Sequence, residues 1–334
     1  MEVNCEGCAG CCMDWRPLLA DASKSTGSSD GDDGGNGVEP NPERRHRRRR
    51  EPSGGGNGRV PGRDPLDDDP NFVPLTRDEV RAFLEAGIAD ALTPRFWEAR
   101  DESEGVDVDG RSIAAVAGRP AFFVGLRKPP KPVAPFDREE PRWLPTCVFL
   151  DPTTLQCRIH ESELFPDECS AYPEYNLALE QQTECERVED AVGGDRLLEA
   201  SHDEPEGLLL GSQALGTKVF AHPQPGELEG VVDRTAAGTL GRRDRAEPIA
   251  VAAASSPGTL AISEHHYQRA KARVLDDEDP EAASENGSSW VGPAIRDWHR
   301  RYRDADEVVP STDVADAVET ARGASETPGW DDPE

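Results

Sequence analysis

The sequence predicts an α+β protein, in which a small irregular domain of short β-hairpins and helices is stapled by metal and accompanied by long disordered segments. Three observations lead to this prediction. Only 35% of the 334 residues are hydrophobic, against 31 glycines and 29 prolines, so much of the chain cannot offset the entropy lost on ordering. Short apolar runs between turn residues alternate with helical spacing. Eight cysteines fall into two groups of four.

Regular patterns begin near Phe72, after a long polar stretch. Residues Thr76–Glu79 form a capping box, in which the threonine hydroxyl and the glutamate satisfy free backbone donors, and apolar residues with helical spacing follow. A second short helix is predicted over Pro94–Glu102. Two apolar runs, Ile113–Val116 and Ala121–Leu126, flank a turn and predict a β-hairpin.

A second hairpin is predicted around Asp151-Pro152-Thr153. If Leu150 faces Thr154, Cys147 lies directly opposite Cys157, at the roughly 4.5–5.5 Å Cβ separation of paired residues. Both thiolates would then be close enough to bind one metal ion. Further along the chain, helical spacing predicts three helices, over Ile262–Leu275, Ala294–Tyr302 and Asp313–Arg322.

Composition divides the chain into five segments. They are an N-terminal cysteine cluster (1–20), a disordered low-complexity insertion (21–70), the main metal-binding cysteine domain (71–192), a helical C-terminal region (193–303) and an acidic tail (304–334). We expect residues 1–20 to belong to the same metal domain as 71–192. The insertion is rich in Gly, Ser, Asp and Asn, and such a composition cannot build a core.

The net charge is −29, with 66 acidic residues against 37 basic ones, of which only five are lysines. Acidity that is spread over a whole chain is typical of halophilic proteins, which stay hydrated where salt screens their self-repulsion. An acidic disordered protein in an ordinary cytosol is the alternative interpretation. The even spread of the acidity favours the halophilic one.

Charge and hydropathy also bear on location and partners. No stretch approaches the ~18 uninterrupted apolar residues of a membrane helix, and Met1–Cys5 has neither part of a signal peptide. We therefore expect a cytoplasmic protein without membrane contact, in which clustered cysteines favour metal or redox chemistry over disulfides. The arginine run Arg44–Arg50 lacks an aromatic stacking platform and does not predict nucleic-acid binding. The sequence is compatible with a protein partner but does not identify one.

The first cysteine group has the pattern C-x2-C-x2-C-C. A thiolate-bound metal needs a tight turn that brings backbone amides behind the sulfurs, and Gly7 and Gly10 favour such turns. Adjacent Cys11 and Cys12 could hardly form a disulfide with each other without strain. Metal ligation is therefore favoured over free or disulfide-linked thiols. The four candidate ligands are Cys5, Cys8, Cys11 and Cys12.

The second group is spread over mid-chain residues, among prolines that reverse the chain. Because adjacent side chains usually diverge, Cys11 and Cys12 can serve different metals, so sites shared between the groups are as plausible as two local sites. Sharing would pack residues 1–12 against Thr146–Pro173 and add the folding energy that a thin core lacks. The four candidate ligands are Cys147, Cys157, Cys169 and Cys185.

Zinc and an iron–sulfur cluster both fit eight thiolates, and the sequence does not choose between them. The spacing C-x2-C-x2-C that begins at Cys5 matches the first three cysteines of bacterial ferredoxins. Zinc also accepts all-thiolate sites, and the long intervals of the second group are typical of structural zinc sites. The histidines His160, His265 and His266 are weaker candidates, because eight cysteines already complete two sites.

These cysteines resemble the YkgJ-like cysteine-cluster family, also called the CxxCxxCC family, whose members are described as zinc- or iron-chelating domains. The resemblance rests on Cys5–Cys12. The segments Cys147–Leu150, Cys157–Glu161 and Cys169–Pro173 reinforce it. It covers residues 1–20 and 70–190 and does not extend to the insertion or the C-terminal third.

The chain departs from that family pattern at three positions. His160 stands for the usual tyrosine, Phe165 for the arginine of an Arg-Pro pair, and Ser170 for another arginine. The cysteines are kept, whereas two arginines that could meet an anionic partner are lost. The resemblance implies metal chelation without a settled reaction. Related domains are also similar to part of flagellin lysine N-methylases, which implies an enzyme as an alternative.

The sequence therefore predicts a metal-binding cysteine-cluster protein that holds zinc or an iron–sulfur cluster and whose reaction is unknown. It contains no Gly-x-Ser-x-Gly elbow, no P-loop and no dinucleotide fingerprint, so it identifies no catalytic residue. The alternative is an iron–sulfur oxidoreductase or a methyltransferase-associated enzyme subunit. A third class is an interaction module that uses the basic run of the insertion.

Overall fold

Helices and strands are mixed along the chain, which confirms the predicted α+β class. The computed structural model describes residues 2–19, 65–67, 69–201, 214–276, 289–305 and 308–330. In chain order the strands are β1 (Glu2–Val3), β2 (Leu92–Phe96), β3 (Gly105–Val108), β4 (Arg111–Val116), β5 (Arg119–Leu126), β6 (Pro130–Val133), β7 (Arg142–Pro145), β8 (Leu197–Glu199) and β9 (Phe220–Ala221). The helices are α1 (Arg77–Glu85), α2 (Asp167–Ser170), α3 (Glu174–Ala178), α4 (Glu184–Val192), α5 (Val231–Ala236), α6 (Arg242–Ala254), α7 (Glu264–Asp276), α8 (Val291–Asp304) and α9 (Val314–Val318).

An antiparallel sheet in the order β2–β5–β4–β3 forms the main β layer, and β9 also pairs with β5. The first predicted hairpin is confirmed, since β4 and β5 pair with Ala115 opposite Pro120. The helix predicted over Pro94–Glu102 is wrong, because its first residues lie in β2, which pairs with β5. Burial explains the difference. Phe96 is fully buried with its ring 5.5 Å from that of Phe122, and pairing with β5 satisfies the backbone there.

Helix α6 lies between the sheet and two other helices, since it packs against β2 and β5 as well as α1 and α7. Helix α1 begins at the predicted capping box, in which Thr76 and Glu79 each accept a hydrogen bond from the other's backbone amide. The sequence does not predict α6, because all ten residues from 245 to 254 are buried and no polar face gives a helical period. Helices α7 and α8 confirm, within a few residues, those predicted over Ile262–Leu275 and Ala294–Tyr302, whereas the helix predicted over Asp313–Arg322 is divided into α9 and a 3-10 helix at Thr320–Arg322.

The second predicted hairpin forms, but in another register. Leu150, not Thr154, lies opposite Cys157, so Cys147 is three residues away from the position that faces Cys157. The turn is longer than predicted, because the amide of Asp151 donates to the carbonyl of Gln156 at 2.9 Å. The predicted direct pairing of Cys147 with Cys157 is therefore wrong.

Residues 308–330, which the sequence assigns to an acidic tail, pack against this hairpin. The Nζ of Lys131 lies 2.6 Å from a carboxylate oxygen of Glu319, and both side chains are fully buried. The same carboxylate pairs with the Nε of Arg158 at 3.0 Å and accepts a hydrogen bond from the indole of Trp298 at 2.8 Å. Composition does not predict this docking, because it does not distinguish a paired buried carboxylate from a hydrated one.

The last residues of the predicted insertion also pack onto the domain. The amide of Leu66 donates to the carbonyl of Phe96 at 3.0 Å, and Asp67 pairs with the Nη2 of Arg95 at 2.8 Å. Residues 65–67 therefore belong with the sheet, and the predicted boundary at residue 70 is too late. The remainder of the predicted insertion, up to residue 64, lies outside the described residues.

One main hydrophobic core reaches from the N-terminal cysteines to the helices beyond residue 193. It contains Met13, Phe149, Ile249 and Ile295, all at most 2% exposed. The segments predicted on either side of residue 193 thus share a core. Within the described ranges, every helix is too short or too polar to span a bilayer.

Candidate metal centre

The N-terminal cysteines lie in two consecutive turns. The amide of Cys8 donates to the carbonyl of Cys5 at 3.0 Å, and the amide of Cys12 donates to the carbonyl of Ala9 at 3.0 Å. Gly7 has a φ of 59°, in the left-handed region that glycine adopts without steric cost. The predicted role of Gly7 in a tight turn is therefore confirmed.

This N-terminal segment packs directly on the mid-chain hairpin, as predicted. The amide of Cys147 donates to the carbonyl of Cys12 at 2.7 Å, and Met13 pairs with Thr146 as an isolated β-bridge. The side-chain amide of Asn71 donates to the carbonyl of Met13 at 3.0 Å. These bonds bring the end of the first cysteine group against the start of the second.

Cys185 reaches the N-terminal turns from helix α4. The helix begins with a capping box between Thr183 and Glu186 and packs against the 3-10 turn Gly10–Cys12. The indole of Trp15 donates a hydrogen bond to Glu184, the first residue of the helix. Helix α4 therefore brings Cys185, the last cysteine in the sequence, to the N-terminal cysteine turns.

The thiols fall into two sets according to which thiolate charges shift the pKa of each thiol. These charge interactions weaken with distance and therefore indicate which sulfurs are neighbours. Burial and then the charges of Cys11, Cys5 and Cys8 raise the pKa of the Cys185 thiol. Burial, Cys11 and Cys8 raise the pKa of Cys5 to about 11. Cys185 is thus grouped with the three N-terminal cysteines of the C-x2-C-x2-C run.

Cys12 is grouped with the three mid-chain cysteines other than Cys185. Its pKa is raised by its hydrogen bond with Cys11, by burial, and by the charges of Cys11, Cys147 and Cys169. Burial and then Cys147, Cys11 and Cys157 raise the pKa of Cys169. Burial, Cys147 and Cys11 raise the pKa of Cys157 to about 12. The second set therefore contains Cys12 and three mid-chain thiols, and the charge of Cys11 acts on both sets.

Cys11 and Cys12 lie where the two sets meet. Their sulfurs are 3.9 Å apart, so the expectation that these adjacent side chains diverge is wrong. The 3-10 turn brings both sulfurs to the same side. Two ligands of one tetrahedral zinc would also be roughly 3.8 Å apart, given Zn–S bonds of ~2.3 Å, so one joint centre is the alternative to two adjoining sites. The hydrogen bond from Cys12 lowers the pKa of Cys11 against the effect of burial.

Backbone amides favour the thiolates of three cysteines, and each of the three has a donor two residues further along the chain. Burial raises the pKa of all three thiols, and these amides oppose it because a hydrogen bond favours the thiolate. Backbone amides behind the sulfurs are what a metal-binding turn needs. The donor and acceptor pairs are Gly10 and Cys8, Phe149 and Cys147, and Ile159 and Cys157.

Three cations lie beside the thiols, and the sequence analysis did not identify them. The charge of Arg196 lowers the pKa of Cys5 and Cys8, in opposition to burial. Lys131 and Lys128 do the same for Cys147 in mid-chain. The available signal was the scarcity of lysine, because two of only five lysines stand within 20 residues before Cys147. Positive charge here offsets the negative charge of clustered thiolates.

The histidines considered as ligands are engaged elsewhere. The ring of His160 packs against that of Phe165 at 4.8 Å, and the rings of His265 and His266 pack against each other at 5.5 Å on α7. Across the described residues, no three His, Cys, Asp or Glu side chains are arranged as they stand to hold a metal ion. The thiols thus form two neighbouring sets without a closed coordination cage.

A family model for a family of unknown function, DUF7531, matches residues 1–331, nearly the whole chain. The chain belongs to the DUF7531 family. No curated protein and no solved structure matches it. The DUF7531 match does not bear on the YkgJ-like resemblance, which stays a prediction.

Proposed function

We propose that this protein binds metal through two four-thiol sites, each shared between the N-terminus and mid-chain segments. The observation that carries the proposal is the packing of the N-terminal cysteine turns against both the hairpin that begins at Cys147 and the helix that carries Cys185. The first site would use Cys5, Cys8, Cys11 and Cys185. The second would use Cys12, Cys147, Cys157 and Cys169.

The donors and their surroundings fit a thiophilic metal. Four thiolates are a complete ligand set for zinc and for an iron–sulfur cluster. Amide donors two residues beyond Cys8, Cys147 and Cys157 stabilise the charged sulfurs that such a metal requires. A bound zinc ion would supply folding energy, and an iron–sulfur cluster would add electron transfer.

The raised thiol pKa values predict how the affinity of the proposed metal binding changes with pH. With pKa values of about 11 for Cys5 and about 12 for Cys157, these thiols carry protons at neutral pH in the metal-free protein. Metal binding must displace those protons, so it should release acid into a weakly buffered solution and strengthen as the pH rises.

An iron–sulfur oxidoreductase is the second candidate, and the composition of the first set favours it. Three cysteines spaced C-x2-C-x2-C with one distant cysteine form the ligand pattern of ferredoxin-type clusters. A methyltransferase-associated role rests on the YkgJ-like resemblance alone. A cytoplasmic location is part of the proposal, because eight free thiols persist in a reducing compartment.

Metal analysis of the full chain tests the proposal. The protein is purified anaerobically, zinc, iron and acid-labile sulfide are measured per chain, and a visible spectrum is recorded. We expect two equivalents of zinc in a colourless protein, or iron and sulfide with broad visible absorbance if clusters are bound. A protein that is folded by circular dichroism, yet holds none of these and takes up no zinc, would overturn the proposal.

Single substitutions test the division into two sites. We expect Cys8→Ser and Cys147→Ser each to remove about half of the metal, and the double variant to remove it all, because each site loses one of its four thiolates. Ser170→Ala, at an exposed position next to Cys169, is the matched control and should leave the metal content unchanged. Loss of all metal in both single variants would indicate one joint centre. An unchanged metal content in both would exclude these two cysteines as ligands.

A further inference from the structure

A cluster of four arginines surrounds a single carboxylate on another part of the molecule. The four are Arg127, Arg242, Arg245 and Arg296, and we call them the arginine cluster. The Nη2 of Arg242 contacts Asp90 directly. The guanidinium nitrogens of Arg245 and Arg296 lie 3.8 and 3.9 Å from the same carboxylate, beyond hydrogen-bond distance. Arg127 donates to the main-chain carbonyl of Asp90 at 3.0 Å.

Three parts of the fold bring these side chains together. Arg242 and Arg245 lie three residues apart in the first turns of α6 and share a face. Arg296 lies in α8, and Arg127 is the residue that directly follows β5. Helix α8 approaches closely because residue 292 is glycine: a Cβ there would lie 2.1 Å from the Oδ2 of Asp90. The convergence is therefore built into the packing of these elements.

The hydrogen-bond donors of the arginine cluster outnumber the acceptors described around it, which are the carboxylate and carbonyl of Asp90 and the carbonyl of Leu240. Each guanidinium has about five N–H donors, whereas one carboxylate accepts about four hydrogen bonds. The Nη1 of Arg242 is buried without a hydrogen-bond partner among the described residues. Asp244, the other acid whose charge acts on Arg245, already pairs with Arg234 at 2.7 Å. Positive charge therefore exceeds negative charge at this place, in a chain whose net charge is −29.

Burial makes this excess costly. The side chains of Arg245 and Arg242 are only 8% and 15% exposed. Charged groups removed from water destabilise a protein unless they are paired and hydrogen-bonded. Burial, followed by Arg245, lowers the pKa of Arg127 to about 9, although Asp90 opposes the shift. An anion seated among the guanidiniums would remove this cost.

We propose that the arginine cluster binds the phosphate group of a ligand. Phosphate carries between one and two negative charges near neutral pH, and its oxygens match the planar fork of a guanidinium, which donates two parallel hydrogen bonds. Arg242 would contribute its unpartnered Nη1, and Arg296, whose side chain is 67% exposed, gives access from solvent. This site is independent of the thiols and of the proposed metal binding.

Thermal unfolding of the full chain with and without inorganic phosphate tests the proposal. Potassium phosphate is titrated against potassium chloride at constant ionic strength and pH, and glycerol phosphate and acetate are titrated in the same way. We expect phosphate to raise the unfolding midpoint in a saturable manner, since a ligand that binds only the folded state stabilises it. A stronger effect of glycerol phosphate would identify an organic phosphate ester as the ligand class, within the proposal. Equal midpoints in phosphate, acetate and chloride would overturn it.

Variants show whether phosphate acts at the arginine cluster. We expect Arg296→Gln to weaken the apparent phosphate affinity by about tenfold or more, as the loss of one charged hydrogen-bond donor would. Arg242→Gln should do the same, and the exposed Arg296 keeps the test valid should that buried change impair folding. The control is Arg269→Gln on an exposed part of α7, which removes the same charge elsewhere. Equal weakening in all three variants, or in none, would refute this location.

Discussion

Gly10 illustrates how much one residue contributes to the approach of α4 to the N-terminal cysteines. A Cβ at this position would lie 2.8 Å from the Cγ2 of Val188 on α4, and 3.6 Å from both the sulfur of Cys8 and the indole nitrogen of Trp15. Its φ is not in the left-handed region, so glycine is needed here for space rather than for backbone conformation. The same helix carries Cys185, so crowding at Gly10 would move Cys185 away from the other thiols of the first set.

We predict that Gly10→Ala lowers the free energy of unfolding by ~1–3 kcal/mol, the usual cost of overpacking a buried contact. Denaturant unfolding of the full chain measures this. Gly226→Ala is the matched control, because nothing lies within 4 Å of a Cβ at that position. Equal stability of the two variants would mean that α4 moves away without cost and that the close approach is unimportant.

Between helices α6 and α7, packing depends on a polar network around one carboxylate. Glu247 accepts hydrogen bonds from the hydroxyl of Tyr267 at 2.7 Å and the amine of Lys271 at 2.6 Å, and lies 3.1 Å from the ring of His222. Burial alone would raise the pKa of Glu247, but these partners lower it from 4.5 to about 2. The network therefore joins two helices and the segment that follows β9.

We predict that Glu247→Gln destabilises the protein at neutral pH by about 3 kcal/mol, the free-energy equivalent of that pKa shift. Because the pKa is lower in the folded state, this contribution is complete above about pH 4.5 and is lost as the pH falls towards 2. The difference in unfolding free energy between the variant and the wild type, measured from pH 7 to pH 2, should shrink accordingly. Any loss of metal in acid affects both proteins and cancels. The exposed Glu227→Gln is the control, and a difference independent of pH would contradict the assigned shift.

Across the whole molecule, the dominant electrostatic feature is a net charge of −29. Self-repulsion on this scale opposes the compact state, and salt weakens it by shortening the distance over which charges interact. The Debye length falls from about 10 Å at 0.1 M salt to about 3 Å at 1 M. Close buried pairs, such as Lys131 with Glu319, are screened much less.

We predict that the midpoint of thermal unfolding rises between about 0.1 and 1 M potassium chloride, because screening relieves repulsion among exposed acids. Circular dichroism at several salt concentrations measures the rise. Sucrose at matched osmolality is the control, since it stabilises proteins by exclusion from their surface and does not screen charge. Equal stabilisation by sucrose, or a midpoint independent of salt, would contradict the proposed cause.

The sequence alone determined the features that depend on nearby residues. The capping box at Thr76, the hairpin between β4 and β5, and helices α7 and α8 follow from turn chemistry and from periodic spacing within about a dozen residues. The eight candidate ligands were also identified from their residue type and spacing, including the need for a turn at Gly7. Such signals are local, and each is complete before the chain folds back on itself.

Only the tertiary structure decided which distant residues meet. It made β2 a strand by pairing it with β5, shifted the register around Cys157 by three residues, and grouped Cys185 with the N-terminal cysteines. It also buried Glu319 against Lys131 and collected four arginines around Asp90. The physical reason is that burial and charge pairing depend on which segments meet in the folded chain, from the paired strands β2 and β5 to the distant pair Lys131 and Glu319, and a single sequence carries no record of which neighbours those will be.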